Sequence, residues 1–158
     1  MAKVLVGFMG SGKSTIAELL DPDFVDMDAV ITDKIGMPIA DFFAEKGEAA
    51  FRQIEAETLA ELLASQHVLS TGGGVVTSAR NRDLLNQHAD VVYLRADFAT
   101  LYERMAADTA NQRPLFLNNS RADLEVIFQE RQAWYEEVAT QIVDVVGKAP
   151  VEIMEEIR

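Results

Sequence analysis

The chain has 158 residues, 49% of them hydrophobic and 25% charged, which suits one domain with its own core. Its 26 acidic residues against 14 basic ones leave a formal charge of −12, which argues against a nucleic-acid partner. It has no cysteine, hence no disulfide or thiolate metal site, and no apolar run long enough to span a membrane; the N-terminus leads straight into a strand, so no leader segment is expected.

Val4-Leu5-Val6 reads as a short buried strand, and Ile16-Ala17-Glu18-Leu19-Leu20 as a helix. Between them stands Gly7-Phe8-Met9-Gly10-Ser11-Gly12-Lys13-Ser14-Thr15, a Gly-x-x-x-x-Gly-Lys-Ser loop in its confirming strand–helix context. Such a loop turns backbone N–H groups onto phosphate oxygens, and the helix N-terminus adds partial positive charge. Lys13 supplies a cation for the outer phosphates and Ser14 a hydroxyl for Mg²⁺. The stretch is read as a nucleoside-triphosphate site.

Asp21-Pro22-Asp23 makes a turn before a second strand, Phe24-Val25-Asp26, and a helix opens at Asp26-Met27-Asp28 and stops near Gly36. Pro38 starts another helix, ended by Gly47, and a longer one spans about 48 to 65. His67 to Ser70 is the third strand, broken by Gly72-Gly73-Gly74; a helix covers about 77 to 87, and Asp90 to Leu94 is the fourth strand. Asp97 caps a helix bearing Phe98, Leu101, Tyr102 and Met105 on one face, followed by a polar break from 108 to 119. Ser120 and Asp123 resemble a capping box for a helix over about 121 to 138. Gln141 to Val145 is the fifth strand, and Pro150 begins a short last helix. Strands alternating with helices predict an α/β fold, a mainly parallel sheet with helices on both faces. Ligands of such sheets sit beyond the carboxyl ends of the strands, where the P-loop, Asp26/Asp28, the triple glycine and the helix carrying Arg104 should converge.

Several residues have no place in a bland core. On the helix from 48 to 65, Phe51, Ile54, Leu59, Leu62 and Leu63 form an apolar face that contains Glu55, with Arg52 at its edge. On the helix from 121 to 138, Arg131 lies near the centre of a stripe of Leu124, Ile127, Phe128, Tyr135 and Val138. Charges so placed need partners. Arg52 is at the i,i+3 spacing to serve Glu55, whereas Arg131 has no acid on its own stripe, so another element or a bound anion must meet it. Asp26 and Asp28 both end the second strand; one suffices as a helix N-cap, and the second suggests a role at a metal or a substrate hydroxyl. Gly72-Gly73-Gly74 suggests close backbone approach to a ligand. Arg95, Arg104, Arg113, Arg121 and Arg131 fall in a stretch without lysine, Arg95 and Arg121 being expected at the solvated surface; His67 and His88 form no ligand pattern.

Over essentially its full length the chain resembles the shikimate kinase family. The likeness is carried by residues 7–15, by Asp26-Met27-Asp28 and Phe51-Arg52-Gln53-Ile54-Glu55, and by Ser70-Thr71-Gly72-Gly73-Gly74, Arg113-Pro114-Leu115 and Arg131-Gln132-Ala133-Trp134-Tyr135. The resemblance implies a single P-loop kinase domain with a five-stranded parallel sheet of order 2-3-1-4-5. Substrate-binding helices would span about 27–65 and a lid about 108–120. It implies transfer of the ATP γ-phosphoryl group to the 3-hydroxyl of shikimate, with Mg²⁺, in aromatic amino acid biosynthesis by a cytoplasmic, monomeric enzyme. By position, Gly10, Ser11, Gly12, Lys13, Ser14, Thr15, Arg104 and Arg113 would bind ATP, Arg104 against the adenine. Arg52, Arg131 and Gly72, Gly73 and Gly74 would hold shikimate, and Asp28 would be the base. Ser14 and Asp26 would serve the metal, and Lys13 and Arg113 the transferring group. The chain departs from the family pattern in being about one helical turn shorter between Thr15 and Asp26 and in having Phe116 where the lid carries Leu. A kinase of this fold for gluconate or a nucleoside monophosphate, and a non-catalytic ATP-binding module, are the alternative readings.

Overall fold

A computed structural model describes residues 1–108 and 114–158. Five strands form one sheet: β1 (Lys3–Val6), β2 (Val25–Asp26), β3 (Val68–Ser70), β4 (Val91–Arg95) and β5 (Gln141–Asp144). Their order is β2-β3-β1-β4-β5 and every pairing is parallel, as the family resemblance implies. Leu5 is level with Ser70 on one side and Val92 on the other, and Asp26 is level with Ser70. The segments that leave β1, β2 and β3 therefore emerge side by side. β1 holds the centre because Val4, Leu5 and Val6 are fully buried and accept apolar neighbours on both faces.

Around the sheet lie α1 (Lys13–Leu20), α2 (Met27–Ile35), α3 (Ile39–Lys46), α4 (Glu48–Leu62), α5 (Ala79–Asn86), α6 (Phe98–Ala107), α7 (Pro114–Leu117), α8 (Arg121–Val138) and α9 (Pro150–Glu156). Their ends follow the expected chemistry. Gly36 closes α2 with φ 69°, a left-handed conformation that costs glycine little. Asp97 caps α6 by accepting the Thr100 N–H at 3.1 Å, and Ser120 caps α8 by accepting that of Asp123 at 3.2 Å.

Beyond one-residue shifts at strand ends, three stretches differ from the sequence-based expectation. The helix placed at about 48 to 65 ends at Leu62, where the Leu63 N–H closes it on the Leu59 carbonyl at 3.0 Å. The helix placed at 77–87 begins only at Ala79, because Ser78 caps it and a 3-10 turn occupies Val75–Thr77. The polar break after α6 contains α7, started by Pro114 and closed by the Asn119 side chain, which donates to the Leu115 carbonyl at 2.8 Å. Leu115 and Phe116 pack against the core, and the Phe116 ring lies 5.4 Å from that of Tyr102.

With eight residues α1 is too short to stand alone, and its burial of Ile16 and Ala17 is supplemented at its end. The Asp21 carboxylate accepts the backbone N–H groups of Val68 at 3.1 Å and Asp23 at 2.9 Å and lies 3.0 Å from His67 Nδ1. The Val68 and Asp23 hydrogen bonds hold this carboxyl below its ordinary pKa. A depressed carboxyl contributes stability above the ordinary carboxylate range and loses it as pH falls through the lowered value. Asp21→Asn should therefore melt below the parent at neutral pH, and the gap should close in acid; thermal melts across pH check this, and a gap that persists in acid contradicts it.

Candidate active site

The loop between β1 and α1 turns at Gly10 and Gly12, with φ of 85° and 90°. Its closing hydrogen bond runs from the Ser11 N–H to the Phe8 carbonyl at 3.2 Å. Lys13 begins α1, and its Nζ donates to the Gly7 carbonyl at 2.6 Å and that of Phe8 at 3.2 Å, so the ammonium rests over the loop. Ser14 and Thr15 follow in the first, exposed turn, where the dipole and unpaired N–H groups favour an anion. From the other side α6 lies over the loop, and Arg104 Nη1 donates to the Gly10 carbonyl at 3.1 Å.

The turn after β3 explains its three glycines by contact. A Cβ at Gly72 would stand 2.8 Å from Asp28 Oδ1, and one at Gly74 would stand 2.8 Å from Arg52 Nη2. At Gly73 it would meet the Met9 backbone nitrogen at 3.4 Å and Arg131 Nη1 at 3.9 Å. Each glycine thus makes room for a different polar group, and the turn brings α2, α4, α8 and the P-loop together. Any side chain at Gly72 or Gly74 would displace a charged group by contact alone.

The two arginines are electrostatically unlike. Arg52 Nη1 donates to Glu55 Oε1 at 2.9 Å, Glu55 Oε2 at 3.1 Å and the Gly74 carbonyl at 3.0 Å, and its Nε reaches Glu48 at 3.4 Å. Glu55 is 2% exposed; burial raises its pKa, and Arg52 opposes that rise. Arg131 is half-buried, with its guanidinium carbon 5.9 Å from the Phe8 ring centre. Among the described residues no carboxylate comes within ion-pair distance of it. All these groups line one cleft of about 1060 Å³, from Gly12, Lys13 and Ser14 at one end to Arg52, Glu55 and Arg131 at the other. A cleft with a phosphate cradle at one end and an unneutralised guanidinium at the other suits two anionic ligands at once.

A model of the family described as shikimate kinase matches residues 9–158. The chain belongs to the shikimate kinase family. A shikimate kinase of Streptococcus gordonii is 55% identical over 100% of this chain and 99% of that protein. One of Lactococcus lactis is 44% identical over 100% and 96% respectively. The solved structure of the shikimate kinase from Acinetobacter baumannii in complex with shikimate superimposes with a TM-score of 0.88 at 33% identity, covering 98% of this chain and 89% of that one. A gluconokinase structure from Sinorhizobium meliloti shares the fold alone, with a TM-score of 0.59 at 23% identity over 98% and 87% of the two chains.

Within this shikimate kinase framework, the residues expected from the sequence line one rim, apart from Ser11, which is buried, and Arg113, which lies outside the described residues. Asp26 provides the N-cap of α2, accepting the Asp28 N–H at 3.1 Å, and Asp28 is the carboxylate against Gly72. Arg95 and Arg121 stay outside the cleft, as expected. Arg95 pairs with Asp144 at 2.6 Å, and the Arg121 guanidinium carbon lies 4.9 Å from the Tyr102 ring centre. His67 meets Asp21, while His88 is buried, its Nε2 2.6 Å from the Ala2 carbonyl.

Sequence reasoning missed Asn81 on α5. It is fully buried, and its Nδ2 donates to Glu55 Oε1 and to the Val75 carbonyl, both at 2.9 Å. A polar residue one turn before Leu85 on the inward face is the same signal that singled out Glu55 and Arg131. Removing this amide leaves a carbonyl without a donor and strips one from a buried carboxylate. Asn81→Ala should therefore cost about 1–3 kcal/mol in urea unfolding. A loss below about 0.5 kcal/mol would mean that water replaces the amide.

Proposed function

We propose that the protein transfers the γ-phosphoryl group of ATP to the 3-hydroxyl of shikimate, giving shikimate 3-phosphate and ADP. Phosphorylation of shikimate by ATP is the activity of the family to which the chain belongs. The observation that carries the finer reading is Arg131, a positive charge on the cleft wall without a carboxylate among the described residues. A substrate carboxylate supplies what the fold leaves out. Arg52, already oriented by Glu55, adds directed N–H donors beside it, and Gly73 adds backbone.

The phosphoryl group sits between these ends. Residues Gly10 to Thr15 cradle the phosphates, Lys13 follows charge onto the transferring oxygens, and Arg104, which donates to the Gly10 carbonyl of the loop, would cover the nucleotide base. Asp28, which lines the same cleft and stands against Gly72, orients the attacking hydroxyl and takes its proton. Arg113, by its place in the family pattern, adds charge from a lid over about 108–120 that would keep water from competing as acceptor.

Mg²⁺ suits the donors present. Ser14 and Asp26 both line the cleft, and the described residues hold no cluster of three or more ligating side chains. Such a site fits an ion that keeps water and phosphate oxygens for most of its shell. When bound, it would neutralise charge on the outer phosphates. We also place the enzyme in the cytoplasm and read it as a monomer. No described helix is long and apolar enough to cross a membrane.

A coupled assay should show ADP release that depends on shikimate; release without it, or none with it, would oppose the proposal. Arg131→Ala should weaken shikimate binding by about 2–5 kcal/mol while ATP affinity stays nearly constant. Calorimetry with each ligand separates the two, and an unaltered shikimate affinity would remove the assignment.

A further inference from the structure

The arginine that meets the carboxylate is itself held by something. One helical turn after Arg131 stands Tyr135, fully buried and stacked on Tyr93 with ring centres 5.1 Å apart. Its hydroxyl donates to the carbonyl of Gly73, the glycine that lies between the Met9 backbone nitrogen and Arg131 Nη1. The hydroxyl therefore holds the glycine turn at the residue that meets both Arg131 and the P-loop. Burial pushes the phenol pKa well up, so the proton stays in place to be donated.

We propose that Tyr135 is a positioning residue for the acid substrate, its hydroxyl fastening α8, one turn beyond Arg131, to Gly73 of the turn after β3 and so fixing where Arg131 and the substrate carboxylate stand relative to the P-loop. Tyr135 does not reach the reacting atoms; it acts through Gly73 and through the α8 backbone that carries Arg131. A guanidinium on a flexible stem binds a carboxylate well only when its orientation is set in advance, and a helix stripe alone sets only its Cα. The inference rests on the reading of Arg131 as the carboxylate holder.

Tyr135→Phe deletes the hydroxyl and keeps the stacked ring. Steady-state kinetics should show the shikimate KM raised about five- to tenfold, the worth of one hydrogen bond, with the ATP KM and kcat within about twofold. Tyr93→Phe removes the neighbouring buried hydroxyl and should leave both KM values unchanged. Arg131→Lys alone should raise the shikimate KM, and Tyr135→Phe added to it should contribute less than about twofold, because the group that it positions is gone. A shikimate KM within about twofold of the parent in Tyr135→Phe, with Arg131→Lys impaired, overturns the role of Tyr135 and leaves the arginine reading standing. An unimpaired Arg131→Lys defeats the arginine reading. Equal effects of Tyr135→Phe in both backgrounds would make the hydroxyl merely structural and overturn the inference.

Discussion

A guanidinium that no carboxylate neutralises among the described residues is the constraint on which this active site depends. Arg131 lies on the inward stripe of α8, between the fully buried Leu124 and Tyr135, where an unmatched charge is costly. The fold tolerates it because the head group reaches an open cleft and lies near the face of Phe8. Arg52 is treated in the opposite way, with Glu55 and Glu48 both against it. One arginine is thus held by two carboxylates that more than offset its charge, and the other keeps its charge for a ligand. In a chain of formal charge −12, that local sign is what admits an anion.

Around this charge the turn after β3 acts as the common wall of two half-sites. It abuts Asp28, the P-loop backbone and both arginines through three successive residues that lack a Cβ. The sheet order makes this possible, because β1, with β3 and β4 on its two flanks, delivers the phosphate loop and the glycine turn to the same rim. Ligand sites of open parallel sheets collect where connections leave a strand in opposite directions. Here the chain passes from β1 to β2 and β3 on one side and to β4 and β5 on the other.

Much of this was legible beforehand because its causes are local. The Gly-Lys-Ser turn, the caps at Asp97 and Ser120, and the stop at Gly36 are each decided within a few residues. The pairing of Arg52 with Glu55 was legible too, since i,i+3 spacing on one helix brings the two together wherever that helix goes. Asn81 was not, because its partner Glu55 lies 26 residues away on another helix. Helix α7 was hidden by a polar neighbourhood, although Pro114 and Asn119 supply a start and a stop.

By itself the sequence determined the kind of chemistry: a phosphate cradle, a metal-ready hydroxyl, and an arginine that its own helix could not satisfy. Only the tertiary structure decided what meets what. It placed Glu55 against Arg52 and Asn81, left Arg131 facing the cleft, and set Gly73 between Arg131 and the P-loop. The division follows from range. Backbone conformation and same-helix spacing act over a few residues and are written in order along the chain, whereas the partner of a buried charge is chosen by whichever distant element the sheet order carries within about 3 Å of it.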